Sequence, residues 1–259
     1  MMDWLSPEEA ADAIGRGRGK GIKIAILDSG VEAAHPALGG LELTDDVAIV
    51  EEGQRLKVAP GGVDRFGHGT AIASILRRVA PEAELGSFRV FGESLATRTA
   101  TIAEGARLAM ERGYHILNCS FGCAIPDHVL YHKRWVDEAY LKGIHVVAAC
   151  NNHDFTRPEW PGFFSSVITV NMARTGDEAH LFHKRGSLVE FAAHGVDVEV
   201  AWCDGLTKKV TGSSFAAPRG AGMLACMLSV KPGLRPLQVK TLFHRVAHPW
   251  TQELRAPNE

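Results

Sequence analysis

The chain has 259 residues, 46% of them hydrophobic and 22% charged, with a formal net charge of -2. That length suits one large α/β domain or two small ones, and the balanced charge argues against a nucleic-acid reader, which carries a basic stripe. No run of about eighteen apolar residues occurs, so no membrane-spanning helix is expected. Residues 1–9 lack the basic start and apolar core of a secretory signal. The five cysteines (Cys119, Cys123, Cys150, Cys203 and Cys226) are odd in number. Four lie in or beside apolar runs, so buried thiols in a reducing, cytoplasmic setting are expected.

In chain order, residues 15–21 carry Arg16, Arg18 and Lys20 among glycines. They precede a strand and lack a following Gly-Lys-Ser/Thr, so they read as an exposed turn and not as a phosphate loop. Residues 22–27, 85–91, 116–119, 144–150 and 167–170 are near-continuous apolar runs that fit buried parallel strands. Between them lie helical stripes. Ile72, Ile75, Leu76 and Val79 share one face, as do Ile102, Ala106, Ala109 and Met110, then Trp135, Val136, Ala139 and Tyr140, ended by Gly143. Ala221, Leu224, Ala225 and Leu228 mark a last apolar helix. This alternation predicts right-handed βαβ units in a doubly wound, mainly parallel sheet with helices on both faces. One α/β domain over 1–248 is expected, with 249–259 as a surface extension.

Open α/β sheets place functional groups at the carboxyl ends of strands. The first run ends in Asp28-Ser29-Gly30. Next come Asp64-Arg65-Phe66-Gly67-His68-Gly69-Thr70 and a helix; a histidine between two glycines has little steric cover. Last is Thr211-Gly212-Ser213-Ser214-Phe215-Ala216-Ala217-Pro218, entering another helix, where backbone N–H groups are unpaired. Alone, Asp28 reads better as a turn-capping Asp, His68 as well as an incidental His, and Ser214 as a common N-cap Ser. Together, and in the order Asp, His, Ser, they point to nucleophilic catalysis. Serine is a poor nucleophile until a base takes its proton. His68 is expected to be that base, and Asp28 to fix its tautomer and stabilise the imidazolium.

The order and the local wording resemble the subtilases, the subtilisin-like serine peptidases, over roughly residues 20 to 246. Ile26-Leu27-Asp28-Ser29-Gly30-Val31, Gly67-His68-Gly69-Thr70 and Gly212-Ser213-Ser214-Phe215-Ala216-Ala217-Pro218 carry the resemblance. It implies a triad of Asp28, His68 and Ser214. The run His145-Val146-Val147-Ala148-Ala149-Cys150-Asn151-Asn152 is similar to the strand delivering the family's oxyanion asparagine, which assigns that role to Asn152. Ser120-Phe121-Gly122 resembles the wall of the primary specificity pocket. Trp160-Pro161-Gly162 resembles a run flanking its floor, placing Glu159 there. A carboxylate at that floor favours Lys or Arg substrates; the alternative is a solvated Glu159 paired with Arg157.

Three positions depart from the family pattern: Ser213 for threonine, Asn151 for glycine and Arg219 for histidine. The helix after His68 also lacks the loop that binds calcium in many secreted members, and Ala37 stands where an acidic ligand belongs. No metal and no cofactor are therefore expected. The expected activity is serine endopeptidase, with a peptide or protein substrate, no nucleic-acid or membrane partner and no identified regulatory partner. A ligase or macrocyclase using the same acyl-enzyme is one alternative, and a non-catalytic peptide-binding module is another.

Overall fold

A computed structural model describes residues 4–53, 55–175, 180–184, 186–251 and 254. In chain order these form α1 (Pro7–Arg16), β1 (Lys23–Asp28), β2 (Asp45–Glu52), β3 (Arg55–Pro60), α2 (His68–Val79), β4 (Glu84–Arg89), α3 (Thr99–Glu111), β5 (Ile116–Cys119) and α4 (Val129–Lys142). Then follow β6 (His145–Ala148), β7 (Ile168–Ala173), β8 (Phe182–His183), β9 (Phe191–His194), β10 (Val198–Trp202), β11 (Leu206–Val210), α5 (Ser213–Val230), α6 (Pro236–Val246) and β12 (His248–Pro249).

The strands β9-β7-β6-β5-β1-β4-β2 run parallel in that spatial order. β3 and β8 join antiparallel on the flanks, and β12 lies parallel to β8. A strand turns alternate residues to opposite faces, and β1 uses both. Ile24 and Ile26 join the core under α2 and α5, while Ala25 and Leu27 join the one under α3 and α4. The sheet is thus doubly wound. On the α2 stripe Ile72, Ile75 and Leu76 are fully buried, contributing roughly 1.5–3 kcal/mol each. α5 is buried on nearly every side, which its Ala-rich sequence permits by letting neighbours approach closely.

The topology sets the site. β1 lies at the centre, with β4 on one side and β5 on the other. Because the chain crosses from one side of β1 to the other, the carboxyl ends of β1 and β5 open into a crevice. Asp28 ends β1, and Ser120 follows β5.

Most strand ends shift by one to three residues from expectation, β4 closing at Arg89 and β7 running on to Ala173, and three differences have a local cause. The 144–150 run leaves the ladder after Ala148, because the Cys150 N–H turns to the Ser213 hydroxyl at 3.3 Å. The 15–21 stretch begins as the end of α1, and the turn proper is Gly19-Lys20-Gly21, both glycines at φ +76°. The division expected after His248 falls inside β12, and Trp250 and Leu254 pack against Ala173, Phe182 and Ala192. The remainder of 249–259, residues 252, 253 and 255–259, lies outside the described residues.

Candidate active site

Asp28 is 1% exposed at the end of β1. Its carboxylate receives the Ser29 N–H at 2.8 Å and faces His68 Nδ1 at 2.8 and 3.0 Å through both oxygens. A ring nitrogen held between two carboxylate oxygens carries the proton, so Nε2 is left as the basic nitrogen. Burial pushes the His68 titration down, but the charge and hydrogen bond of Asp28, helped by the charge of Asp64, outweigh it and raise it above the ordinary histidine value. The expectation of an uncovered ring is corrected. His68 is only 9% exposed and tilts against Phe215, centroids 5.4 Å apart. The preceding glycine serves another purpose: Gly67 has φ +100°, and a Cβ there would lie 2.5 Å from the Trp202 indole nitrogen.

Ser214 sits in the first turn of α5, next to Phe215, so the serine and the imidazole share one rim. Its N–H is among the leading groups that a helix cannot pair internally. The hydroxyl does not hydrogen-bond His68; it donates to the Ser120 carbonyl at 3.0 Å. In return the Ser120 hydroxyl donates to the Ser214 carbonyl at 2.9 Å and accepts from Asn118 Nδ2 at 3.0 Å. Pro218 explains why that carbonyl is free. It stands four residues on, where its missing N–H would otherwise have closed the helical bond. Ser213 keeps its hydroxyl at work, donating to the Cys150 carbonyl at 2.7 Å and so tying α5 to the end of β6. Asn152 Oδ1 accepts the Ser213 N–H at 2.8 Å. That contact anchors the amide beside Gly212 and leaves Nδ2 with no protein partner among the described residues. Arg219 is fully buried and donates from Nε to the His194 carbonyl at 2.7 Å, fastening α5 to β9.

Beside this rim, Gly122 packs on Glu159, whose Oε2 would collide with any Cβ at that position. Glu159 Oε1 accepts from Asn151 Nδ2 at 2.7 Å, and among the described residues it forms no pair with Arg157. Asn151 does not use the unusual backbone angles that asparagine tolerates, since its φ is not positive. Its side chain instead bridges the pocket wall, accepting the N–H groups of His153 and Asp154 at 2.9 Å each while holding Glu159. Phe121 stacks edge-on against Phe91 at 5.3 Å. The pair borders an apolar recess of about 310 Å3 that also includes Leu95, Ile102 and Ile125.

Residues 19–257 match the subtilase family. The chain belongs to that family. Among its relatives, the M-protease of Shouchella clausii is 28% identical over 246 residues, covering 91% of this chain and 62% of that protein. Subtilisin Savinase of Lederbergia lenta is 28% identical over 91% of this chain and 87% of its own, and thermitase of Thermoactinomyces vulgaris 29% over 82% and 76%. The chain thus spans less than two thirds of the M-protease and about seven eighths of Savinase. Among solved structures, the S41 psychrophilic protease superposes with a TM-score of 0.75 at 26% identity, over 90% of this chain and 87% of its own. A cold-adapted subtilisin-like serine proteinase gives 0.71 at 24%, over 88% and 82%, a likeness of fold.

One residue of this subtilase's site escaped sequence reasoning. Asp64, fully buried, accepts five hydrogen bonds. Oδ1 takes the Ser29 hydroxyl at 2.9 Å and the N–H groups of Phe66 and Gly67 at 3.1 and 2.8 Å. Oδ2 takes the Thr70 N–H at 2.9 Å and its hydroxyl at 2.7 Å. The Ser29 hydroxyl then accepts the Gly69 N–H at 3.0 Å. Asp64 therefore binds the strand end carrying Asp28 to the helix start carrying His68. An aspartate just ahead of a helix was the available signal, as such residues satisfy the leading N–H groups.

Proposed function

We propose that this chain is a serine endopeptidase that cleaves peptide or protein substrates through an acyl-enzyme on Ser214. A turn about the Ser214 Cα–Cβ bond carries the hydroxyl from the Ser120 carbonyl to His68 Nε2, a step between staggered wells. His68 takes the proton as the oxygen attacks the scissile carbonyl. Asp28 holds the tautomer and stabilises the imidazolium. Asn152 Nδ2 and the Ser214 N–H donate to the tetrahedral oxyanion. His68 then protonates the leaving amine, and water repeats the sequence on the ester. The two-oxygen grip of Asp28 on His68, on the same rim as Ser214, is the observation that carries this reading.

Specificity follows from the pocket beside Gly122. Glu159, held by Asn151 and lacking a cationic partner among the described residues, favours substrates with Lys or Arg before the cleaved bond. The apolar recess bordered by Phe91 and Phe121 receives an apolar side chain further from that bond. All five cysteines are free thiols, which supports work in a reducing, cytoplasmic compartment on an intracellular precursor. Cleavage of an unbiased peptide library tests this directly. Hydrolysed fragments enriched in Lys or Arg ends, absent from Ser214→Ala, are expected. Intact peptides, or equal cleavage by the variant, would refute it.

A further inference from the structure

A cavity of about 350 Å3 opens at the end of the sheet opposite Asp28, where β1, β5 and β6 begin. That volume lies within the ordinary range of small-molecule sites. Ile22, Leu228 and Leu234 form an apolar floor, each under 5% exposed. The rim carries Lys20, Lys142, Arg235 and His115, and among the described residues no carboxylate lines it.

Some of this basic character has a local explanation. α4 ends here, and a lysine in a last turn answers the negative end of the helix; Lys142 also pairs with Glu138 at 2.7 Å. Arg235 donates from Nη2 to the Leu141 carbonyl at 2.8 Å. Lys20 has no such role. Of the three cations in the glycine-rich stretch, Arg16 pairs with Asp12 at 2.9 Å and Arg18 with Glu82. Lys20, set between two left-handed glycines, has no ion pair or hydrogen bond among the described residues and faces the cavity.

Two histidines add direction. His115 Nδ1 accepts the Lys23 N–H at 3.0 Å, so the ring proton sits on Nε2 and can be donated. His145, 2% exposed, directs Nε2–H to the Leu234 carbonyl at 3.1 Å, and its Nδ1 is buried without a donor among the described residues. Burial lowers both titrations. Lys23 lowers that of His115 further, with Glu84 partly offsetting it; for His145 the bond to Leu234 partly offsets burial, its neighbours His115 and Arg235 disfavour a second charge, and its titration falls to about 4. The region therefore offers excess positive potential and several N–H donors, with no carboxylate on its rim among the described residues. A carboxylate answers such a set with one charge and two acceptor oxygens. A phosphate monoester near neutral pH brings about -1.5 to -2 charges and three strong acceptor oxygens.

We propose that this cavity binds a small phosphate monoester, the phosphate held by Lys20, Lys142, Arg235 and His115 and its apolar body resting on Ile22, Leu228 and Leu234. The site is independent of the peptidase reading, since it lies at the other end of the strands.

The test is a titration of the full chain, as Ser214→Ala to prevent self-cleavage, with phenyl phosphate at low salt. The histidine ring resonances are followed by NMR. Saturable shifts of His115 and His145 are expected below about 10 mM, with the titration of His115 moving to higher pH as the anion binds. The combined Lys20→Gln and Lys142→Gln changes are expected to weaken binding about tenfold, while Lys20→Arg retains it. Phenol is expected not to bind, and inorganic phosphate to bind more weakly than the ester. No saturable shift, or an unchanged affinity in the double variant with its fold intact, overturns the site. Phenol binding as tightly as the ester overturns the role of the phosphate, and inorganic phosphate doing so overturns that of the apolar floor.

Discussion

Replacing Asp64 with asparagine keeps the shape of the side chain but turns one acceptor oxygen into a donor. With Oδ1 retained for Ser29, Phe66 and Gly67, the Thr70 N–H loses its acceptor, and the Thr70 hydroxyl exchanges a bond to a carboxylate for at most a neutral one from the amide. Two charge-assisted bonds at about 1.5–3 kcal/mol each cap the loss at roughly 3–6 kcal/mol, a large part of the 5–15 kcal/mol typical of a folded domain. The charge also disappears from beside His68, whose titration Asp64 helps to raise. A base with a raised value loses activity as pH falls through it, so removing the charge moves the acid limb of kcat/KM to lower pH. Urea unfolding gives the first quantity, and the pH dependence of peptide hydrolysis the second. Thr70→Val serves as the control: it removes the two hydroxyl bonds, one to Asp64 and one from the Glu32 N–H, and keeps the charge, so it destabilises without moving the limb. If Asp64→Asn loses stability but its acid limb stays where the parent's lies, Asp64 is a helix cap with no influence on His68. A loss under about 1 kcal/mol would contradict the hydrogen-bond reasoning itself.

Other outcomes follow from the same geometry. Asn152→Ala is expected to lower kcat about 10²–10³-fold with KM little changed, a magnitude taken from subtilisin itself as the reference case for an oxyanion donor; a loss carried by KM alone would remove Asn152 from that role. Glu159→Gln is expected to abolish a preference for Lys and Arg substrates over Leu in paired assays, and a preference that survives would show the pocket charge to be irrelevant. His132 is fully buried with neither ring nitrogen hydrogen-bonded among the described residues, and burial, then His128, lowers its titration to about 4. Its folded value lies below the unfolded one, so stability is full above about 6.5 and falls as pH drops through 4, by about 3 kcal/mol from this group. His132→Leu is expected to remove that portion of the acid slope in urea midpoints measured at pH 7.5 and 4; an unchanged slope would mean that water reaches the ring.

What was legible in the sequence was whatever one residue type at one place could decide. Apolar runs such as 116–119 had to be buried strands, and β5 occupies that span. Gly143 ends α4 in a left-handed conformation, as its position promised. The β2–β3 and β10–β11 hairpins were missed because their outer strands, β3 and β11, are largely exposed and carry Lys57, Lys208 and Lys209, while the short buried run Val47-Ala48-Ile49 of β2 is hemmed in by Asp45, Asp46, Glu51 and Glu52. Helix α6 was missed for a similar reason, since Leu237 faces outward and blurs its stripe. The Ser120 carbonyl as partner of the Ser214 hydroxyl was also beyond reach, because a side-chain rotamer depends on which acceptors the fold brings near. The link from Pro218 to the free Ser214 carbonyl needed only the spacing of four, yet its meaning required knowing that Ser120 would lie opposite.

Labelling with a fluorophosphonate, followed by intact-mass and peptide-level mass spectrometry, most directly tests whether His68 activates Ser214. One adduct per chain, mapped to Ser214, is expected, lost in Ser214→Ala and slowed by orders of magnitude in His68→Ala and Asp28→Asn. An adduct that forms at the same rate without His68, or that maps to another residue in the folded chain, would contradict the account.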